Sequence, residues 1–104
     1  MRELTPQAVA ALRDTTEIQI IDVREPWEYE FCHIEGTLHI PLGQIPARLA
    51  ELASDRPLIV LCHHGMRSLQ VAHYLLSQGY QDVTNLSGGI DAWARDVDPA
   101  LALY

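Results

Sequence analysis

A parallel β-sheet with helices on both faces is the fold class this sequence predicts, on three observations. Short apolar runs rich in branched residues recur at 18–23, 57–61 and 82–86, each with the length of a buried strand. Segments with helical start signals or helical periodicity stand between them, and such alternation is the pattern of an α/β domain. The chain has 104 residues and 48% hydrophobic content, which suits one compact domain over 1–104 and leaves no room for a second core.

Taken in order, Thr5-Pro6 is a helix start, with Thr as N-cap and Pro at the first position. Gln7 to Arg13 carry a short helix, which Asp14-Thr15-Thr16 end. The strand at 18–23 leaves Asp22 and Arg24 at its carboxyl end, where open parallel sheets assemble their sites. These two are expected to form ion pairs that brace the surrounding loops. Residues 25–31 begin with an acid and Pro26 and stop before Gly36, which predicts one or two helical turns. Residues 37–40 read as a short strand halted by Pro41. Ile45-Pro46 start a predicted helix reaching to about Ala53, with Ile45, Leu49 and Leu52 on one face. A turn at 54–57 leads into the next strand.

That strand, 57–61, runs into Cys62-His63-His64-Gly65-Met66-Arg67-Ser68, and a helix follows directly. The thiol therefore sits at a strand-to-helix turn. Backbone N–H groups of such a turn and of the helix's first turn converge on one small space and favour negative charge there. Arg67 adds a permanent cation with a planar fork of donors, and Gly65 allows backbone angles that other residues resist. Together they make a cysteine nucleophile with a seat for an anionic substrate.

The helix itself is the clearest pattern in the chain. At about 100° per residue, Leu69, Val71, Ala72, Leu75 and Leu76 fall within roughly 160° of arc, and polar residues fill the rest. Gly79 stops it, 82–86 form a strand, and Ser87-Gly88-Gly89 open a last helix through Trp93. Residues 96–104 are expected to lie as an extended strap across the surface.

Charge narrows the partners. Fourteen acids face seven bases, all of them arginine, for a formal charge of −7. Nucleic acid and anionic membrane surfaces need clustered positive charge, so both are set aside. Small anions are repelled at long range, which leaves a protein-borne substrate at least as suitable as a free dianion. Two cysteines do not make a disulfide framework, Met1 to Thr5 do not read as a secretory leader, and no apolar run reaches membrane-spanning length. A cytoplasmic, reducing setting is expected.

Three separated stretches, IDVREPWEYEFCHIEG, LCHHGMRS and SGGIDAW, resemble in order the characteristic elements of the single-domain rhodaneses, and the likeness runs over nearly the whole chain. It implies a three-layer fold and a sulfurtransferase. Cys62 would take a sulfane sulfur from thiosulfate or a persulfide donor, carry it as a persulfide, and pass it to a thiophilic acceptor. The amides of His63, His64, Gly65, Met66, Arg67 and Ser68 would form the anion cradle, and Arg67 would contact the substrate anion. No metal or organic cofactor is implied. The tail VDPALALY resembles the end of rhodanese domains fused to enzymes that activate ubiquitin-like sulfur carriers, which points to a sulfur-carrier protein as an acceptor.

Departures from the family pattern mark further questions. Cys32 stands where the family commonly has Gly; it reads as a small buried side chain with no neighbouring cation, the alternative being a resolving thiol. His63 and His64 are adjacent, adjacent residues seldom converge on one ion, and no further ligand cluster is evident in the sequence. The rival enzyme class is the cysteine-arginine phosphatases and arsenate reductases, which have one residue more than the four found here between Cys62 and Arg67. A tighter loop favours the smaller sulfur centre over tetrahedral phosphate. A non-catalytic sulfur-sensing module is the other alternative, and the presence of Cys62 weighs against it.

Overall fold

The computed structural model describes residues 1–104. Five strands form one sheet: β1 (Arg2–Leu4), β2 (Gln19–Asp22), β3 (Leu38–His39), β4 (Leu58–Leu61) and β5 (Val83–Leu86). Their spatial order is β1-β5-β4-β2-β3, and every pairing is parallel. Helices α1 (Pro6–Thr15), α2 (Pro26–Phe31) and α3 (Met66–Ser77) connect strands, and α4 (Gly89–Asp96) follows β5.

The central strand shows why the runs are apolar throughout. All four residues of β4 are buried. Leu58 and Val60 pack with Val71, Ala72 and Leu75 of α3, while Ile59 and Leu61 pack on the opposite face with Val9 of α1 and Trp93 of α4. With successive side chains pointing to opposite faces, two covered faces demand an unbroken hydrophobic strand. Each such burial contributes roughly 1.5–3 kcal/mol.

The helices follow their local signals. Thr5 caps α1, its hydroxyl accepting from the N–H of Ala8 at 3.2 Å. The expected face of α3 is inside, with Val71, Ala72 and Leu75 fully buried and Leu69 and Leu76 half-buried. Gly89 begins α4, which continues past Trp93 to Asp96.

Two expectations need correction. The segment after Pro41 is not an α-helix from 45 to 53 but two tighter turns of 3-10 helix, Leu42–Gln44 and Pro46–Glu51. The interruption is at Arg48, which leaves helical angles, with its guanidinium on Glu51 and Gln44, so neither short piece is long enough to propagate an α-helix. Ile45 and Leu52 are buried nonetheless and Leu49 packs beside them, so the apolar face was read correctly. The edge strand β1 was not expected, because Arg2-Glu3-Leu4 has no apolar alternation; its pairing comes from β5, register Glu3 to Asn85.

The topology brings the carboxyl ends of β2, β4 and β5 together, and the loop after β4 lies among them. No helix is long and apolar enough to cross a membrane.

Candidate active site

Cys62 directly follows β4 and is 1% exposed, its Sγ held at the bottom of the loop. The N–H of Gly65 donates to it at 3.0 Å, and the Ser68 hydroxyl lies 3.3 Å away. Of the expected cradle amides, then, that of Gly65 reaches the sulfur, and the Ser68 side chain, which was not expected to, stands beside it. Gly65 takes φ +108°, a conformation that strains any residue with a Cβ.

Asn85, from β5, braces this arrangement and was missed in the sequence. Its side-chain N–H₂ donates to the Gly65 carbonyl at 3.1 Å and to the Glu3 carboxylate at 3.0 and 3.2 Å. That fixes the amide orientation and turns its oxygen to Ser68, 2.5 Å away. Glu3 is why the edge strand matters to the site.

The start of α4 closes the loop from the other side. The N–H groups of Ile90 and Asp91 donate to the carbonyls of Cys62 and His63 at 2.9 and 3.1 Å. Gly89 makes that approach possible: a Cβ there would fall against both carbonyl oxygens, at φ +63°. Gly89→Ala is therefore expected to push the loop off its helix and cut turnover about tenfold or more, out of proportion to a single methyl. Steady-state sulfur transfer by a variant of unchanged helix content would check it.

Arg67, on the first turn of α3, is not free. Both terminal nitrogens donate to Glu28, at 2.6 and 2.9 Å. Glu28 is 3% exposed and also accepts from the Tyr104 hydroxyl at 2.7 Å and the Glu25 N–H at 2.9 Å. The hydrogen bonds from Arg67 overcome burial and, with those from Tyr104 and Glu25 and the Arg67 charge, hold the Glu28 carboxyl at about 2. Because the folded value lies below the ordinary 4.5, this pair stabilises the fold fully above pH 4.5 and is lost as pH falls toward 2. Denaturant unfolding between these limits should show stability declining with acid, and Glu28→Gln should flatten that slope.

Behind this pair, Arg24 and Asp22 are both fully buried, as an ion pair with an Nη2–Oδ2 distance of 2.7 Å. Burial opposes the Arg24 charge, but hydrogen bonds and charge from Asp22 and Tyr104 outweigh it and raise the guanidinium above its ordinary value. Arg24 further donates to the carbonyls of Glu28 at 3.1 Å and Cys32 at 2.7 Å, and to the Tyr104 hydroxyl at 3.0 Å. The expected bracing role is what the geometry provides.

Tyr104 was also missed. The tail does run as a strap, and its last ring stacks on His63 with centroids 3.8 Å apart and planes 4° from parallel. Its buried hydroxyl, between Arg24 and Glu28, is pushed up to about 12 and stays protonated as a donor. His63 in turn stacks on His64 at 3.9 Å, and burial followed by the His64 charge lowers it. Met66 is 75% exposed at the edge of the loop.

Two further corrections concern the thiol and the histidines. Cys32 is a buried small side chain as expected, but it does have a cation beside it, Arg24 Nη1 at 4.0 Å from Sγ. It packs with Ile20, Ile59 and Trp93 on one face of the sheet, whereas Cys62 packs with Val60 and Val71 on the other. Cys32→Ser should therefore leave sulfur loading and release nearly unchanged; an internal disulfide after thiosulfate treatment, detected by mass, would contradict this. Asp91 joins His63 and His64 to form the further ligand cluster that the sequence did not disclose, their ligand atoms within 4.8 Å of one another. Tetrahedral ligands at bonds of about 2 Å stand only about 3.3 Å apart. Asp91 is moreover engaged by Arg95 at 3.0 Å, which competes with an ion for its carboxylate.

A buried cysteine in a glycine-turned loop at the carboxyl end of a parallel sheet, with an arginine opening the next helix, defines the class: a rhodanese-type sulfurtransferase domain. The chain belongs to the rhodanese-like domain family, which matches residues 5–96. It is 42% identical over 91 residues to a sulfurtransferase of Allochromatium vinosum, covering 88% of this chain and 85% of that protein. It is 36% identical over 99 residues to the thiosulfate sulfurtransferase GlpE of Pseudomonas aeruginosa, covering 95% and 88%. A solved rhodanese-like domain protein from Staphylococcus aureus superimposes with a TM-score of 0.86 at 28% identity, over 100% of this chain and 99% of that one.

Proposed function

We propose that Cys62 carries sulfane sulfur as a persulfide between a thiosulfate or persulfide donor and a thiophilic acceptor. The observation that carries this reading is the position of Cys62 Sγ, 3.0 Å from the Gly65 N–H at the floor of the loop. In the first half-reaction the Cys62 thiolate attacks the outer sulfur of the donor, the donor's S–S bond breaks, and sulfite leaves from thiosulfate with the electron pair. In the second, an acceptor nucleophile attacks the outer sulfur of the persulfide and the Cys62 thiolate leaves. Preorganised donors around the sulfur suit both, since negative charge sits there before and after each transfer. A sulfur-carrier protein is a suitable acceptor, and a reducing cytoplasm a suitable setting, since both cysteines are free.

Intact mass after incubation with thiosulfate tests the reading. One added sulfur, lost on treatment with cyanide or reductant, is expected; a chain left unmodified by thiosulfate and by a hydropersulfide alike would refute it. Arg67→Lys keeps the charge but loses the planar fork that spans both Glu28 oxygens. Thiosulfate turnover should fall about tenfold, roughly one charge-assisted hydrogen bond, while the fold persists. Unchanged kinetics would remove Arg67 from the site.

A further inference from the structure

The arginine at the loop is already satisfied by an acid. Glu28 meets Arg67 through both oxygens, and the other guanidinium of the site, Arg24, is fully buried against Asp22. Nearby Asp91 is matched by Arg95. No cation at the mouth is left uncompensated, on a chain whose formal charge is −7. A dianion such as thiosulfate then meets twice the long-range repulsion of a monoanion, with no unpaired positive charge to offset it.

The rim differs in kind from an inorganic anion site. Trp27 is 64% and Phe31 53% exposed, and they flank Tyr104 edge-on with centroids at 5.8 and 5.5 Å. Of the five large hydrophobic side chains that are exposed, Trp27, Phe31, Met66 and Leu103 all belong to the three segments meeting at this mouth. Concentrated apolar exposure marks a contact surface, and a sulfonate group has nothing to place on it.

We propose that Glu28 is a specificity-determining residue: by neutralising Arg67 it makes the site select sulfane donors that bear organic tails and at most one negative charge at the sulfur, hydropersulfides above all, over dianionic thiosulfate. The proposal rests on sulfur transfer through Cys62. With a hydropersulfide R–S–SH, the Cys62 thiolate bonds to the outer sulfur, the S–S bond of the donor breaks, and RS⁻ departs with the electron pair, leaving Cys62–S–SH. Neither oxidant nor reductant is required. The organic group R lies toward Trp27 and Phe31 while the sulfur enters the loop.

Thiosulfate and methanethiosulfonate make a matched pair of probes, since they differ by a methyl group in place of one charged oxygen. Each gives the same Cys62 persulfide, releasing sulfite or methanesulfinate. The readout is the ratio of kcat/KM for the two donors. Glu28→Gln keeps an acceptor for Arg67 and Tyr104 but exposes one positive charge, and it should shift the ratio toward thiosulfate by about tenfold. A ratio that stays fixed while both rates fall would make Glu28 a brace only and overturn the proposal. Should that variant fail to fold, salt applied to the unaltered protein decides: raising ionic strength should speed thiosulfate more than the monoanion, and a thiosulfate rate that falls with salt would reveal an uncompensated cation and overturn it equally. Sulfur appearing on Cys62 from neither donor would instead sink the transfer reading itself, and this inference with it.

Discussion

Cys62→Ser is expected to abolish both loading with sulfur and its transfer to cyanide, by about 10³-fold or more. The substitution changes little else. Serine fits the 1% exposed site, keeps an acceptor for the Gly65 N–H, and can pair with Ser68. What it loses is chemistry: a hydroxyl at neutral pH is neither ionised nor able to hold a sulfane sulfur. Intact mass after thiosulfate or a persulfide donor, together with the rate of thiocyanate formation, measures the two half-reactions separately. Residual loading in the serine variant would place the carrier elsewhere, and Cys32 is the only other thiol. The unaltered protein tested on an aryl phosphate, with the serine variant as its control, would expose hydrolysis if the four-residue spacing between Cys62 and Arg67 does not exclude it.

The parts of this site that were legible in the sequence are those whose physics is local. Strand β4, the loop and α3 are contiguous, so apolar run, Cys62, Gly65, Arg67 and the 3.6-residue periodicity can be read side by side. The charge state of the site was not legible, because Arg67 meets a partner 39 residues away and Tyr104 reaches across 76 to the same carboxylate. Long side chains pairing through space leave no periodic trace. Weak signals did exist: Asn85 is a fully polar side chain in a strand whose four residues are all buried, and such a group must find partners. The tail likewise ended in an aromatic residue after an apolar stretch, which an unattached strap has no need of. The 3-10 turns after Pro41 were misread because the spacing of Ile45, Leu49 and Leu52 is that of an α-helical face, while their shared burial arises across a kink at Arg48 that periodicity does not disclose.

Arg24→Ala should cost about 3–5 kcal/mol of stability, the largest effect expected of any charged residue here. Arg24 is 0% exposed and its donors reach Asp22, the carbonyls of Glu28 and Cys32, and the Tyr104 hydroxyl. Truncation leaves the fully buried Asp22 carboxylate without its counter-charge and two carbonyls without partners. For a domain of this size that is a large share of the whole, about 5–15 kcal/mol. The loss is not confined to stability, because Tyr104 would lose one of its two hydroxyl partners and with it the stacking partner of His63. Denaturant midpoints should therefore fall steeply for Arg24→Ala, whereas Arg95→Ala, which removes an exposed pair with Asp91, should scarcely move them. Replacing the buried pair together, Asp22→Leu with Arg24→Met, should recover part of the loss, since the penalty comes from an unpaired charge and not from the absence of the pair. Equal midpoints for Arg24→Ala and the unaltered protein would mean that water reaches Asp22 and that the bracing of α2 and the tail rests on packing alone.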